Sequence, residues 1–195
     1  MRAKVLSALL VFIFLPGLSW AHTFQGETGF VSGVFHPVLG FDHLLAMLSV
    51  GIVSAQIGGR AIWTVPLTFV TVMGLGGFLG MQDIGLPAVE YGIALSVLIL
   101  GLAVARGKKI HPLAALVGVG FFAVFHGHAH GAEMPAMADP LVFSLGFLLG
   151  TAAIHLTGVG PPDGTAGTQP GEALSECLTL GVMAVTGAVI NAVLF

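Results

Sequence analysis

Residues 111–130 of the chain read HPLAALVGVGFFAVFHGHAH, a stretch that contains no Asp, Glu, Lys or Arg. A helix needs about 20 mostly apolar residues to cross the hydrocarbon core of a membrane, and this stretch is long enough. Its end carries three histidines, at positions 126, 128 and 130. The stretch therefore predicts a transmembrane helix that carries a group of polar side chains at one end.

The composition of the whole chain agrees with this stretch. Of its 195 residues, 56% are apolar and 8% are charged, whereas an ordinary soluble domain has about 25% charged residues. A soluble fold could not cover its surface with so few charges, and six basic residues are too few to follow a nucleic-acid backbone. The composition excludes a soluble enzyme domain, a disordered chain and a nucleic-acid binder, and it predicts an all-α integral membrane protein surrounded by lipid.

Apolar stretches of sufficient length occur six times after the N-terminal segment. Residues 1–21 are typical of a secretory signal peptide, with Arg2 and Lys4 before an apolar run and a cleavage site after Ala21. A retained first helix is the alternative. We expect a compact six-helix transmembrane bundle within residues 22–195 after removal of the signal peptide. The six predicted spans are 34–56, 62–81, 86–105, 111–130, 140–157 and 174–194.

The basic residues between the spans predict the orientation of the bundle. Arg60 follows the first span, and residues 106–109 supply three more basic side chains after the third. The alternate connections, after the second and fourth spans, contain acidic residues but no Lys or Arg. The positive-inside rule places Arg60 and residues 106–109 in the cytoplasm. Both termini of the mature chain then face the periplasm, in agreement with the signal peptide.

Several predicted spans contain two small residues four positions apart, a spacing that lets helix backbones approach closely in membranes. Such pairs support a compact bundle but indicate no specific function. The pairs are Gly76/Gly80, Ala114/Gly118, Gly146/Gly150 and Ala184/Ala188.

The first span contains a group of polar residues within the sequence HPVLGFDHLLAM, residues 36–47. Ionisable side chains are costly inside a membrane and are functional candidates by default. On a regular helix, His36, Gly40, His43 and Met47 lie on one face, and Gly40 leaves room for an ion or a water molecule. Asp42 is either a ligand from the side or an acceptor for an imidazole N–H.

The two histidines of this span are too far apart on a straight helix to bind the same ion easily. From His36 to His43 a straight helix rises about 10 Å at 1.5 Å per residue, so one ion cannot easily bind both. Either Pro37 and Gly40 distort the helix, or the two histidines are successive stations along a path.

A second group of polar residues ends the fourth span. His126, His130 and Glu133 lie at positions i, i+4 and i+7, again on one helix face, whereas His128 points elsewhere if the helix is regular. Histidines clustered with a carboxylate are typical of a transition-metal site. Because the first span runs inward and the fourth outward, both groups are predicted at one depth, near the outer face.

The sequence leaves open the roles of three further ionisable residues. Glu90, near the outer end of the third span, either joins the site or lies at the membrane interface. His111 and His155 lie near the inner face, where the two are predicted to form an exit for an ion; for His155 the alternative is a packing hydrogen bond to a neighbouring helix.

The ligand types restrict the ion without identifying it. Imidazole with carboxylate suits Ni²⁺, Co²⁺, Zn²⁺, Fe²⁺ or Cu²⁺, and the nearby methionines leave copper open. The single cysteine, Cys177, excludes a thiolate cluster and an iron–sulfur site. No GxxxxGK[ST] sequence for ATP is present. ATP is not required, because a negative-inside potential of 100 mV stabilises an imported divalent cation by about 4.6 kcal/mol, or about a thousandfold in concentration.

The two groups together resemble the HupE/UreJ family of bacterial nickel permeases. The similarity rests on His36-Pro37-x-x-Gly40-x-Asp42-His43-x-x-x-Met47 and on Phe125-His126-Gly127-x-Ala129-His130-Gly131-x-Glu133, and the length, signal peptide and six spans also agree. The resemblance implies an inner-membrane protein, not an enzyme and without a resident cofactor, that imports Ni²⁺ for hydrogenase or urease. Some members of the family handle Co²⁺ instead. By this resemblance, the residues needed for transport are His36, Asp42, His43, His126, His130 and Glu133.

Two other classes of protein remain as alternatives. An intramembrane metal-dependent hydrolase would hold zinc on the same histidines and use Asp42 or Glu133 as a base. A b-type haem protein would place two histidines on the haem iron, and a Soret band would reveal it. A permease differs from both because it must release the ion it binds.

Overall fold

The computed structural model describes residues 29–132, 134 and 139–159. These residues form helices and no strand, which confirms the all-α prediction. The predicted sixth span, 174–194, and the predicted signal peptide, 1–21, lie outside the described residues. The helices are α1 (Phe30–Leu39), α2 (Phe41–Ile57), α3 (Ala61–Met81), α4 (Val89–Arg106), α5 (Pro112–Ala132) and α6 (Pro140–Val159).

The helices are long and apolar enough for a membrane bundle. Each of α3, α4, α5 and α6 meets the length and hydropathy of a membrane span, and the bent pair α1–α2 makes a fifth if it is counted as one. Large apolar side chains cover the outside of the bundle, an arrangement that suits hydrocarbon rather than water. Examples with more than half of their surface exposed are Trp63, Leu67, Leu102, Val117 and Leu141.

Glycines bring α3 and α5 into direct backbone contact. A Cβ atom added at Gly76 or Gly80 would overlap a carbonyl oxygen of α5, and one added at Gly127 or Gly131 would overlap a carbonyl oxygen of α3. This is the most extensive helix pair among the described residues. Backbones this close gain dispersion contacts and Cα–H···O interactions, and any larger side chain would force the two helices apart.

A second pair of helices, α1 and α6, packs in the same way. A Cβ at Gly33 would overlap the carbonyl oxygen of Phe143, and one at Gly146 or Gly150 would overlap a carbonyl oxygen of α1. The predicted packing roles of Gly76/Gly80 and Gly146/Gly150 are therefore confirmed. For Ala114/Gly118 the prediction is wrong, because a Cβ at Gly118 would meet only open space. Ala184 and Ala188 lie outside the described residues.

Helix α2 lies at the centre of the bundle, with contacts to α1, α3, α4, α5 and α6. The axis from α1 into α2 turns by 87°. The prediction of one continuous helix over residues 34–56 is therefore wrong, because the chain breaks at Gly40, between Leu39 and Phe41. This break decides the geometry of the site described below.

One hydrogen bond identifies an end of the bundle. The side-chain amide of Gln56, at the end of α2, donates to the carbonyl of Val104 near the end of α4, at 3.1 Å. Arg60 and Arg106 follow these two positions, so the loops that carry the basic residues lie at the same end. We call this end of the bundle the basic end.

Candidate metal site

The break between α1 and α2 has a local cause. Pro37, inside α1, has no N–H to donate to the preceding turn, and Gly40 ends this helix in an extended conformation with φ −90° and ψ 109°. The next helix starts at once, because the N–H of Leu44 donates to the carbonyl of Gly40 at 2.8 Å. His36 and His43 therefore belong to different helices. His36, Gly40, His43 and Met47 therefore do not share one regular helix face, and the alternative prediction that the helix is distorted around Pro37 and Gly40 is confirmed.

Asp42 orients the imidazole of His43. The ring Nδ1 of His43 lies 2.8 Å from Oδ1 of Asp42, and the backbone N–H of His43 donates to the same oxygen at 2.8 Å. Since a carboxylate only accepts, Nδ1 carries the proton, and in a neutral imidazole Nε2 then keeps its lone pair. That Nε2 is buried and has no hydrogen-bond partner among the described residues. Carboxylates orient metal-binding histidines in the same way.

Gly40 provides the space for this pair. A Cβ at position 40 would lie 3.1 Å from Nδ1 of His43 and 3.3 Å from Oδ1 of Asp42. Both distances are shorter than ordinary van der Waals contact, so a larger residue would press on the hydrogen bond between the two side chains. The room beside Gly40, predicted for an ion or a water molecule, is bordered by the side chains of Asp42 and His43 themselves.

Ser96, on α4, orients His126 in a similar way. Its hydroxyl lies 2.6 Å from the carbonyl oxygen of Ile93 and 2.7 Å from Nε2 of His126. A hydroxyl has one proton, and donation to the carbonyl is the usual bond of a helix serine. Ser96 then accepts from the Nε2–H of His126, whose Nδ1 is left with a free lone pair. This Nδ1 is buried and unpaired within the described part of the chain.

Four imidazole rings from three helices contact one another in the order His36, His130, His43 and His126. The ring centroid of His130 lies 5.0 Å from that of His36 and 4.2 Å from that of His43. The His43 and His126 centroids are 4.8 Å apart. Both ring nitrogens of His130 are buried without a partner among the described residues. We call His36, His43, His126 and His130 the histidine cluster.

The histidine cluster is enclosed on one side by aromatic rings. The ring of Phe147 lies 4.5 Å from that of His130, and the ring of Phe143 lies 5.4 Å from that of His36, centroid to centroid. The imidazoles meet with their planes inclined by 58° to 90°. In this arrangement, the described residues contain no group of three or more His, Cys, Asp or Glu side chains placed to hold a metal ion.

A cavity of about 330 Å³ reaches the histidine cluster from the side. It lies between α3, α5 and α6, and His130 is in its wall. Three methionines, Met73, Met81 and Met134, also line it. Most of the wall is apolar, and His130 and Ser144 contribute its polar side chains.

The other residues considered from the sequence lie elsewhere. His128 points away from the histidine cluster, as predicted, and its Nε2–H donates to the carbonyl of Ile84 at 2.8 Å. Glu90 is exposed at the start of α4. Met47 is buried in the apolar core. Glu133 lies outside the described residues.

Ser96 is the site residue that sequence reasoning missed. It is a single hydroxyl in an otherwise apolar helix, and its partner is 30 positions away. A polar residue in the middle of a predicted span was the available signal, but serines in membrane helices commonly bond only to their own backbone.

Comparisons with known proteins cover most of the chain. The model of one family, described as "HupE / UreJ protein", matches residues 9–190. The chain is 42% identical over 160 residues to "Protein HupE" of Rhizobium leguminosarum bv. viciae, an alignment that covers 82% of this chain and 84% of that protein. No solved structure matches the chain.

Proposed function

The chain belongs to the HupE/UreJ family, and we propose that it imports nickel ions across the bacterial inner membrane for the maturation of hydrogenase or urease. Nickel is the transported substrate in this proposal and not a resident cofactor. The chain acts as a permease without enzymatic activity, driven by the membrane potential and independent of ATP.

The observation that carries the proposal is the set of free lone pairs in the histidine cluster. His43 presents Nε2, His126 presents Nδ1, and His130 has two nitrogens without partners among the described residues. Buried polar atoms are nearly always hydrogen-bonded, and leaving them unpaired costs free energy. The lone pair of a neutral imidazole is a suitable ligand for divalent nickel, so binding of such an ion would satisfy these atoms.

The proposal assigns different roles to the members of the two sequence groups. His43, His126 and His130 bind the ion through imidazole nitrogen, and His36 joins them from the broken helix. Asp42 holds the tautomer of His43. Glu133 completes the second group as an additional oxygen ligand.

The arrangement also suits release of the ion. The rings approach each other edge to face, and small rotations about their side-chain torsions exchange one ligand for the next. A permease must bind its ion loosely enough to release it, and an ion bound by neutral imidazoles exchanges more readily than one held by thiolates. The membrane potential supplies the driving force, about 4.6 kcal/mol for a divalent cation per 100 mV.

The orientation follows from the basic end. We place Arg60 and Arg106 in the cytoplasm by the positive-inside rule. The histidine cluster then lies in the outer half of the bundle, where it captures ions from the periplasm.

Uptake of radioactive nickel by cells that lack their own nickel importers tests this proposal. We expect accumulation with the wild type and loss to background with His43→Ala at matched expression. His128→Ala is the matched control, because His128 lies on the same helix as His126 and His130 but bonds to the carbonyl of Ile84 outside the histidine cluster.

Competing ions, ion binding by the purified chain and depolarisation of the membrane sharpen the result. Stronger inhibition by cobalt than by unlabelled nickel would identify a cobalt importer of the same family. Tight ion binding by purified wild type without any uptake would contradict transport and favour an intramembrane hydrolase. Accumulation that persists after full depolarisation would contradict the potential as the driving force.

A further inference from the structure

A second group of unpaired polar atoms lies deeper in the bundle. His155 and Thr151, both on α6, have no exposed surface. Neither nitrogen of the His155 ring, nor the Thr151 hydroxyl, has a hydrogen-bond partner within the described residues. The two residues are four positions apart, so their side chains lie on the same face of the helix.

Two neighbouring buried residues without hydrogen-bond partners are harder to explain by helix packing than one buried histidine would be. A membrane histidine that serves only packing donates to or accepts from a neighbouring helix. Serine and threonine in a helix usually bond to their own backbone, as Thr157 does with the carbonyl of Ile154 at 2.7 Å. Thr151 makes no such bond, and its hydroxyl stays available beside His155.

The ring of Phe69 lies between this group and the histidine cluster. Its centroid is 5.6 Å from that of His126 and 5.2 Å from that of His155. The rings of His36, His130, His43, His126, Phe69 and His155 therefore form a continuous series through the bundle. In this series, Phe69 is the apolar member that separates the polar ones.

The order of residues along α6 shows which end of the ring series lies closer to the basic end. Phe147 contacts His130, and at 1.5 Å per residue Thr151 lies about 6 Å and His155 about 12 Å further along the helix axis. The backbone of His155 is packed against Gly51 of α2, one and a half turns before Gln56 at the basic end. The pair therefore lies between the histidine cluster and the basic end.

We infer that His155 and Thr151 form a second binding station for a divalent transition-metal ion. An ion leaving the histidine cluster passes the Phe69 ring and binds to an imidazole nitrogen of His155 and to the Thr151 hydroxyl. The inference rests on the proposed function for the direction of movement, but the station itself is a binding site that purified protein can reveal.

The ligand chemistry predicts a weaker site than the histidine cluster. One neutral imidazole and one neutral hydroxyl provide less than several imidazoles and a nearby carboxylate. Weak binding at the second station favours onward release, because conduction through several sites requires that no site hold the ion too firmly.

The decisive variant is His155→Phe, studied in the purified full-length chain in detergent with Ni²⁺ as the probe. Equilibrium dialysis counts the bound ions, and thermal unfolding measures stability. We expect the weaker binding event to disappear while the tighter one remains. Stability should stay equal or rise, because an apolar ring of similar size replaces a buried polar one without partners. Nickel uptake in cells should fall at least about tenfold, the scale of losing a metal-site group.

Two further variants keep the test decisive. Leu156→Phe is the matched control, because Leu156 is the next residue on α6 and points outward with 48% of its surface exposed; binding and uptake should match the wild type. Thr151→Val removes only the hydroxyl and should weaken the second event. If His155→Phe does not fold, this variant provides the same test.

The outcomes separate the two proposals. Unchanged ion number and uptake in His155→Phe, with wild-type transport intact, would overturn the second station alone. A clear loss of stability in His155→Phe with unchanged binding would show that His155 is a packing residue. Absence of uptake by the wild type would overturn the proposed function, while two binding events reduced to one by His155→Phe would still establish the station.

Discussion

The two halves of the histidine cluster are held in opposite ways. His126 and His130 project from α5, an unbroken helix that glycines lock against α3. His36 and His43 come from α1 and α2, which meet at an 87° bend. One half is therefore positioned by close packing of regular helices, and the other by the interruption of a helix.

This difference shows two ways of placing a ligand. A regular helix repeats its face every three to four residues, so the neighbourhood of His126 and His130 follows from spacing alone. The positions of His36 and His43 depend instead on the bend at Gly40, which helical periodicity does not predict.

Gly127→Leu should have the largest effect, because a side chain at this position would overlap the carbonyl of Met73. We expect α3 and α5 to separate and the protein to lose about 1–3 kcal/mol of stability or more, together with all nickel uptake. Gly118→Leu, on the same helix but facing open space, is the control. Thermal unfolding of the purified chains measures both, and equal stability of the two variants would contradict the close packing.

Ser96→Ala should weaken nickel binding while leaving the fold intact. Without the hydroxyl, the Nε2–H of His126 loses its acceptor and the tautomer is no longer held, which typically costs about 10–100-fold in metal affinity. Ser54→Ala is a close control, because the buried Ser54 makes the same type of bond to its own helix, to the carbonyl of Gly51 at 2.7 Å. Calorimetric titration with Ni²⁺ measures the affinities, and equal values for both variants would refute the role of Ser96.

Gly40→Ala tests the other half of the histidine cluster. The extended conformation of residue 40 suits alanine, so the added methyl group acts by pressing on the Asp42–His43 hydrogen bond. We expect nickel uptake to fall by about tenfold or less, at the low end of the range for groups that orient a ligand. Uptake unchanged from wild type, at equal protein level, would show that the Asp42–His43 pair has room to shift.

His128→Ala should have the smallest effect. This histidine lies between His126 and His130 in the sequence, but it bonds to the carbonyl of Ile84 outside the histidine cluster. We expect uptake close to wild type and a stability loss of about 0.5–1.5 kcal/mol from one hydrogen bond. Loss of uptake comparable to that of His43→Ala would contradict the division between cluster and non-cluster histidines.

Much of this structure follows from patterns within single segments. The apolar stretches predicted α3, α4, α5 and α6 as spans, and the packing of Gly76/Gly80 and Gly146/Gly150 follows from their spacing. The spacing alone is not sufficient, because Ala114 and Gly118 have the same spacing but Gly118 faces open space.

The sequence by itself determined an all-helical membrane chain, the two groups of histidines and membership of a family, because composition, period and motif are local properties of the chain. The tertiary structure decided that α1 and α2 are separate helices, that Ser96 orients His126 and that Phe69 separates His126 from His155. These relations join residues on different helices or across a break, where neither hydropathy nor helical period carries information. The distance between two side chains there depends on how the backbones pack.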